Sequence, residues 1–113
     1  MTLLPANEVS GLSIESDDGW FAVDQEQESF VVNAGDTLRA WSNNRFRSTK
    51  HRALNKSEGN RYAIPFFFDP RPDTIIEALA GCIDEDRPLA VKPYRYGDYL
   101  QSFMRDGYIP AAN

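Results

Sequence analysis

The sequence predicts a mainly β protein, a sandwich or barrel of short strands with one helix near its C-terminus. Three observations predict it. Gly11-Leu12-Ser13-Ile14-Glu15-Ser16 and several later stretches alternate with the two-residue period of a strand that shows one face to a core. Turn signals recur between these stretches at intervals of roughly eight to twelve residues, the spacing of sandwiches and barrels. Late in the chain the period changes: Tyr99, Leu100, Phe103 and Met104 recur at helical spacing, with Asp98 near the start and Arg105 near the end to suit the helix dipole.

Taken in order, Thr2-Leu3-Leu4 reads as a strand that opens with no cap, turn or polar lead-in, so the chain is expected to begin inside a domain. Gly11 to Ser16 and Trp20 to Val23 are expected to pair as a hairpin, because Asp18-Gly19 supplies the turn chemistry between them. The acidic linker Asp24 to Glu28 leads to a strand at Ser29–Val32; Asn33-Ala34-Gly35-Asp36 turns it over into a further strand at Thr37–Trp41. Thr49–Leu54 and Arg61–Phe68 suit strands joined by the polar loop Asn55 to Asn60, which predicts a second hairpin. Two prolines, Pro70 and Pro72, stiffen the connector that follows. Thr74 to Ile83 reads equally as helix or strand: Thr74-Ile75-Ile76 favours the strand and Ala78-Leu79-Ala80 the helix. After the charged loop Asp84 to Pro88, the C-terminal helix runs from Tyr96 or Gly97 to Arg105, with Gly107 as its stop.

At 113 residues and 42% hydrophobic, the chain can build one core and no more. The net charge of −5 argues against a nucleic-acid footprint, which needs clustered basic surface. Arg45, Arg47, Lys50 and Arg52 form a local basic run, read here as a solvated strand face. Cys82 is alone, so no intrachain disulfide can form, and it is expected as a buried thiol. No apolar stretch approaches the ~20 residues of a membrane span, and no basic-then-apolar leader opens the chain. A cytoplasmic protein is expected. Tyr94 and Tyr96 read as packing residues, and the acid pairs Asp17-Asp18 and Asp84-Glu85-Asp86 as solvated turns.

The chemistry concentrates between Asn33 and Phe68. His51 is the chain's only histidine, and in an extended chain it shares a face with Thr49 and Ala53. The same alternation groups Arg61, Ala63, Pro65 and Phe67. If both groups face one interior, an imidazole and a guanidinium enter a pocket floored by an aromatic ring, able to hold a metal and an anion together.

These residues also carry a resemblance. Asn33-Ala34-Gly35-Asp36, then Trp41-Ser42-Asn43-Asn44-Arg45-Phe46-Arg47-Ser48-Thr49-Lys50-His51-Arg52, then Arg61-Tyr62-Ala63-Ile64-Pro65-Phe66-Phe67 resemble the C-terminal half of the isopenicillin N synthase-like family of Fe(II)/2-oxoglutarate-dependent dioxygenases. Several motifs stand in the family's order and spacing, and the likeness covers most of the chain. It implies a partial double-stranded β-helix, or jelly roll. Residues 1–113 would be a single domain, the C-terminal part of that fold, truncated at its N-terminus. The resemblance implies Fe(II) and 2-oxoglutarate as cofactors and a small organic molecule as substrate. His51 matches the distal histidine of the family's iron-binding triad. Arg61 matches the arginine that anchors the far carboxylate of 2-oxoglutarate, a task suited to its planar fork. Phe67 lies where the family lines its substrate pocket, although core packing explains a phenylalanine equally well.

Two departures stand out. Ala63 occupies the position where the family commonly has a serine that adds a hydrogen bond to the same carboxylate, worth roughly 1.5–3 kcal/mol. The family's His-x-Asp pair, which would precede Thr2-Leu3-Leu4, has no counterpart here. The rival expectation is therefore a non-catalytic jelly-roll module without a complete metal site. Strands left unpaired at sheet edges would favour self-association.

Overall fold

The computed structural model describes residues 1–106, which form two compact units. The first comprises Met1–Arg39 and Phe46–Phe68; the second comprises Ala40–Arg45 and the chain from Asp69 onward.

In the first unit the chain alternates between two antiparallel sheets. Strands β1 (Thr2–Pro5), β4 (Phe30–Asn33) and β6 (Phe66–Phe67) form one, in the order β4-β1-β6. Strands β2 (Leu12–Ser16), β3 (Gly19–Ala22) and β5 (His51–Ala53) form the other, in the order β3-β2-β5. The β2–β3 hairpin forms as expected. Ser16 and Gly19 face each other across Asp17-Asp18, the Asp18 amide donates to Ser16 Oγ at 3.1 Å, and Gly19 takes φ +116°, where a side chain would be strained.

The hairpin expected between Thr49–Leu54 and Arg61–Phe68 does not form. Strand β5 pairs with β2 and β6 with β1, so the intervening loop carries the chain from one sheet to the other. Residues 61–65 are not in a strand; Pro65 has no N–H to give a ladder. The six-residue loop is closed instead by its own side chains: Asn55 Nδ2 donates to the Gly59 carbonyl at 2.8 Å, and Asn55 Oδ1 accepts from the Ser57 amide at 3.0 Å. A loop satisfied internally, and longer than a two-residue turn, does not dictate a hairpin register.

The expected strand at Thr37–Trp41 is a helix, α1 (Asp36–Trp41). Leu38, Arg39 and Ala40 are good helix formers, Asp36 puts negative charge in the first turn, and Arg39 Nε lies 3.5 Å from Asp36 Oδ1 one turn on. The Arg39 amide donates to the Gly35 carbonyl at 3.0 Å, so the turn signal is also the helix start.

The second unit holds strands β7 (Ile75–Ile76) and β8 (Tyr94–Arg95), a 3₁₀ turn at Ala80–Cys82, and helix α2 (Tyr96–Asp106). The stretch Thr74 to Ile83 thus contains a short strand and a helical turn, one from each of its two readings. Helix α2 matches the expected C-terminal helix; its expected stop, Gly107, lies outside the described residues. The core is Ala40, Ile76 and Tyr96, packed against Trp41, Val91, Tyr94 and Tyr99. Both tyrosines do pack, as expected. Cys82 is half-buried rather than buried, because it sits in a surface turn.

Buried Asn43, at φ +51°, organises the loop after that turn. Its Nδ2 reaches the carbonyls of Cys82 (3.1 Å), Arg87 (3.3 Å) and Pro88 (3.1 Å), and its Oδ1 accepts from the Ala90 amide at 2.9 Å. Within the loop, Arg87 Nη2 lies 2.7 Å from Asp84 Oδ2, and this hydrogen bond holds the Asp84 carboxyl below its ordinary pKa.

Candidate active site

Register decides which side chains share a face. In one sheet Thr2 stands opposite both Asn33 and Phe67, so these three lie in one row. In the other, Ile14 stands opposite both Phe21 and His51, which makes a second row. Asn33 Nδ2 lies 3.2 Å from His51 Nδ1, so the two rows meet. Phe67 and His51 therefore belong to rows that meet through Asn33, one in each sheet and not on two arms of one hairpin.

Of the basic run only Arg52 stands in a strand of the second sheet, and each member of the run is engaged. Lys50 Nζ lies 3.1 Å from Glu15 Oε2, Arg47 Nη1 3.9 Å from Asp17 Oδ2, and the Arg52 guanidinium 4.0 Å from the centre of the Trp20 ring. In the second unit Arg45 Nη2 lies 3.8 Å from Asp84 Oδ2 and donates to the Gly81 carbonyl at 3.3 Å. These basic side chains are spent on local partners.

His51 is exposed at the start of β5. Its Nδ1 lies 3.2 Å from the Thr49 carbonyl oxygen as well as from Asn33, and its Nε2 makes no hydrogen bond among the described residues. An exposed imidazole with one nitrogen held and the other open is suited to be a ligand.

Arg61 reaches its place by a route that strand alternation does not supply. It lies in the irregular segment before β6, and its Nε donates to the Val9 carbonyl at 3.2 Å. Gly11, at φ +148°, makes this approach possible: a Cβ there would run into the Leu54 carbonyl oxygen and lie 3.1 Å from Arg61 Nε. With Nε tied to the backbone, the two terminal nitrogens form the remaining donor edge, the pair that grips a carboxylate bidentately. Among the described residues, no carboxylate pairs with Arg61. The other half-buried arginine, Arg39, has Asp36.

An open imidazole nitrogen fits one ligand position on Fe(II). No group of three or more His, Cys, Asp or Glu that could hold a metal occurs among the described residues, so they do not make a complete ligand set. Ala63 offers no hydroxyl, so its side chain adds nothing to an anion at Arg61.

Sequence reasoning missed Asn33, Gly11, Val9 and Asn43. Asn33 was read only as a turn residue and Gly11 only as the first residue of an alternating strand. Val9 acts through its carbonyl, which no side-chain pattern reveals.

Two facing antiparallel sheets linked by repeated crossings, with β6 following β5 into the other sheet, define the jelly-roll class. The comparisons agree. Residues 1–70 match the family model of the 2OG-Fe(II) oxygenase superfamily. The chain is 35% identical to Protein DMR6-LIKE OXYGENASE 2 of Arabidopsis thaliana, over 91% of this chain and 30% of that protein. It is 37% identical to the 2-oxoglutarate-Fe(II) type oxidoreductase hxnY of Emericella nidulans, over 93% of this chain and 32% of that protein. The crystal structure of JOX2 in complex with 2OG, Fe and JA superposes with a TM-score of 0.86 at 30% identity, over 94% of this chain and 32% of that one. This chain belongs to the 2OG-Fe(II) oxygenase superfamily, whose members use Fe(II) and 2-oxoglutarate. It spans about 30% of the length of the curated relatives it matches.

Proposed function

We propose that residues 1–113 form the C-terminal part of the jelly roll of an Fe(II)/2-oxoglutarate oxygenase that oxidises a small organic molecule in the cytoplasm. His51 supplies one metal ligand, Arg61 anchors the distal carboxylate of 2-oxoglutarate, and Phe67 lines the substrate side. The observation that carries the reading is Arg61: a half-buried guanidinium pinned through Nε, with no carboxylate partner among the described residues, in the same unit as an imidazole open at Nε2. Leaving such a cation unpaired costs stability unless an anion is meant to meet it. When bound, Fe(II) would supply a centre at which O2 is consumed, one of its oxygen atoms going to succinate as 2-oxoglutarate loses CO2 and the other to the substrate. The chain's own residues hold and orient: His51 at the metal, Arg61 at the carboxylate, and the Phe67 ring at the edge of the site. Because Ala63 lacks a hydroxyl, 2-oxoglutarate is held less tightly than serine would hold it. Exposed sheet edges also favour self-association of the chain.

The test is a chimera in which this chain replaces the matching stretch of the Arabidopsis relative, with succinate formation followed against 2-oxoglutarate concentration. His51→Ala is expected to abolish turnover at every concentration. Ala63→Ser is expected to lower the 2-oxoglutarate requirement. If His51→Ala retained full turnover, or Ala63→Ser raised the 2-oxoglutarate requirement, the reading would be wrong at that residue.

A further inference from the structure

We propose that Asn33 is a positioning residue for His51. Its side-chain oxygen accepts the Nδ1 hydrogen, which locks the imidazole in the Nδ1–H tautomer and leaves Nε2 as the open lone pair. The inference rests on the reading of His51 as a metal ligand.

Two groups meet Nδ1, each at 3.2 Å: the Thr49 carbonyl oxygen and the Asn33 side-chain amide. A carbonyl oxygen can only accept, so a lone pair on Nδ1 would face another lone pair there. The Thr49 contact is a hydrogen bond only with the hydrogen on Nδ1; a bare Nδ1 would accept from Asn33 Nδ2 and leave the Thr49 carbonyl unmet. The same N–H then points at Asn33, whose amide nitrogen would oppose donor to donor. A half-turn of the carboxamide exchanges Nδ2 for Oδ1 in the same place, and the Nδ1–H is shared between two acceptors. The protonated nitrogen fixes the other one: in a neutral imidazole with Nδ1–H, Nε2 is the bare base.

The two anchors come from different parts of the unit, which makes the arrangement more than a local turn. Thr49 lies two residues before His51, and one such bond still lets an exposed ring swing. Asn33 reaches it from the end of β4, where pairing with Thr2 fixes its backbone. Asn33 is itself half-buried, so its carboxamide has less freedom than the ring it meets. One side chain thus ties the two sheets together at the ligand. A hydrogen-bonded partner on the far nitrogen is the general device by which proteins set the direction and basicity of a metal-ligating histidine.

His51 is the only histidine in the chain, so nitrogen-15 correlation spectra of its ring show a single imidazole. At a pH above the ordinary imidazole range, the wild-type chain is expected to show Nδ1–H and an unprotonated Nε2. Asn33→Ala is expected to move the majority to the Nε2–H form. Asn33→Asp, which keeps an acceptor in place, is expected to restore Nδ1–H; this rescue separates positioning from a general loss of fold. A tautomer that is the same in wild type and Asn33→Ala, or a wild-type ring protonated at Nε2, overturns the proposal. Co(II), added to the same samples, is expected to broaden the ring signals, with the half-effect in Asn33→Ala shifted to about 10–100-fold higher concentration. A ring that Co(II) leaves untouched, while its tautomer follows Asn33 as expected, overturns the metal reading of His51 and leaves the hydrogen-bonding role standing.

Discussion

In the second unit Ala40 and Ile76 are fully buried and Tyr96 is 4% exposed, whereas in the first unit Phe30, Phe66 and Phe67 remain 63%, 59% and 62% exposed on their strands. The difference shows where stability and chemistry are each built. In the second unit the buried apolar and polar groups are spent on each other. The first holds side chains in place by register and by single hydrogen bonds, leaving an imidazole nitrogen and a guanidinium edge open. Sites are drawn from such loosely packed regions, because a group satisfied within the fold has nothing left to offer a ligand.

Four substitutions or conditions probe this contrast. Ile76→Ala should have the largest effect, a loss of about 2–5 kcal/mol in denaturant unfolding, since it opens a cavity beneath Tyr96 and Trp41. Asn43→Ala comes next, at about 3 kcal/mol: it strands three carbonyls and the Ala90 amide, so hydrogen exchange at Ala90 should accelerate even where the global loss is moderate.

The third concerns pH. Burial, with a smaller contribution from the hydrogen bond to Asp69, pushes the Tyr96 hydroxyl from 10.0 up to about 12. The folded state holds this proton more tightly than the unfolded chain does. The resulting stabilisation is complete below pH 10, declines as pH rises, and is gone above about 12. Its ceiling is roughly 3 kcal/mol. Stability measured across that range should fall in the wild type, and Tyr96→Phe should flatten the part due to this group. The smallest effect is expected from Phe67→Ala, within about 0.5 kcal/mol, because an exposed ring loses little by truncation. A large loss there would mean that the first unit is packed through Phe67 and that the contrast is misplaced.

Much of this was legible in the residues, and what was not has identifiable causes. Strands β1 to β4 were readable because alternation and turn chemistry agree there, Asp18-Gly19 most clearly. The Thr37–Trp41 stretch misled because Leu38 and Ala40 fit a strand's alternation while Leu38 and Trp41 fit a helix face; Asp36 before it and Arg39 within it were the deciding signals. The hairpin from Thr49 to Phe68 misled because strand pairing is non-local: nothing in Phe66-Phe67 says that its partner is Thr2-Leu3. His51 and Phe67 were read as arms of one hairpin, whereas β5 and β6 belong to different sheets, joined at this point by the Asn33–His51 contact. Arg61 was grouped with them by an alternation it does not follow, and its placement comes from the Val9 carbonyl and the absence of a side chain at Gly11, neither of which a side-chain pattern records.

The most direct test is a titration of the chain with 2-oxoglutarate, followed by amide and guanidinium NMR signals in wild type and Arg61→Leu. Wild type is expected to respond at the Arg61 Nε–H and at neighbouring Gly11 and Leu54. Arg61→Leu should bind roughly 10- to 100-fold more weakly, the loss of a charge-assisted pair. Unchanged binding in Arg61→Leu would contradict the assignment of this guanidinium as the cosubstrate anchor.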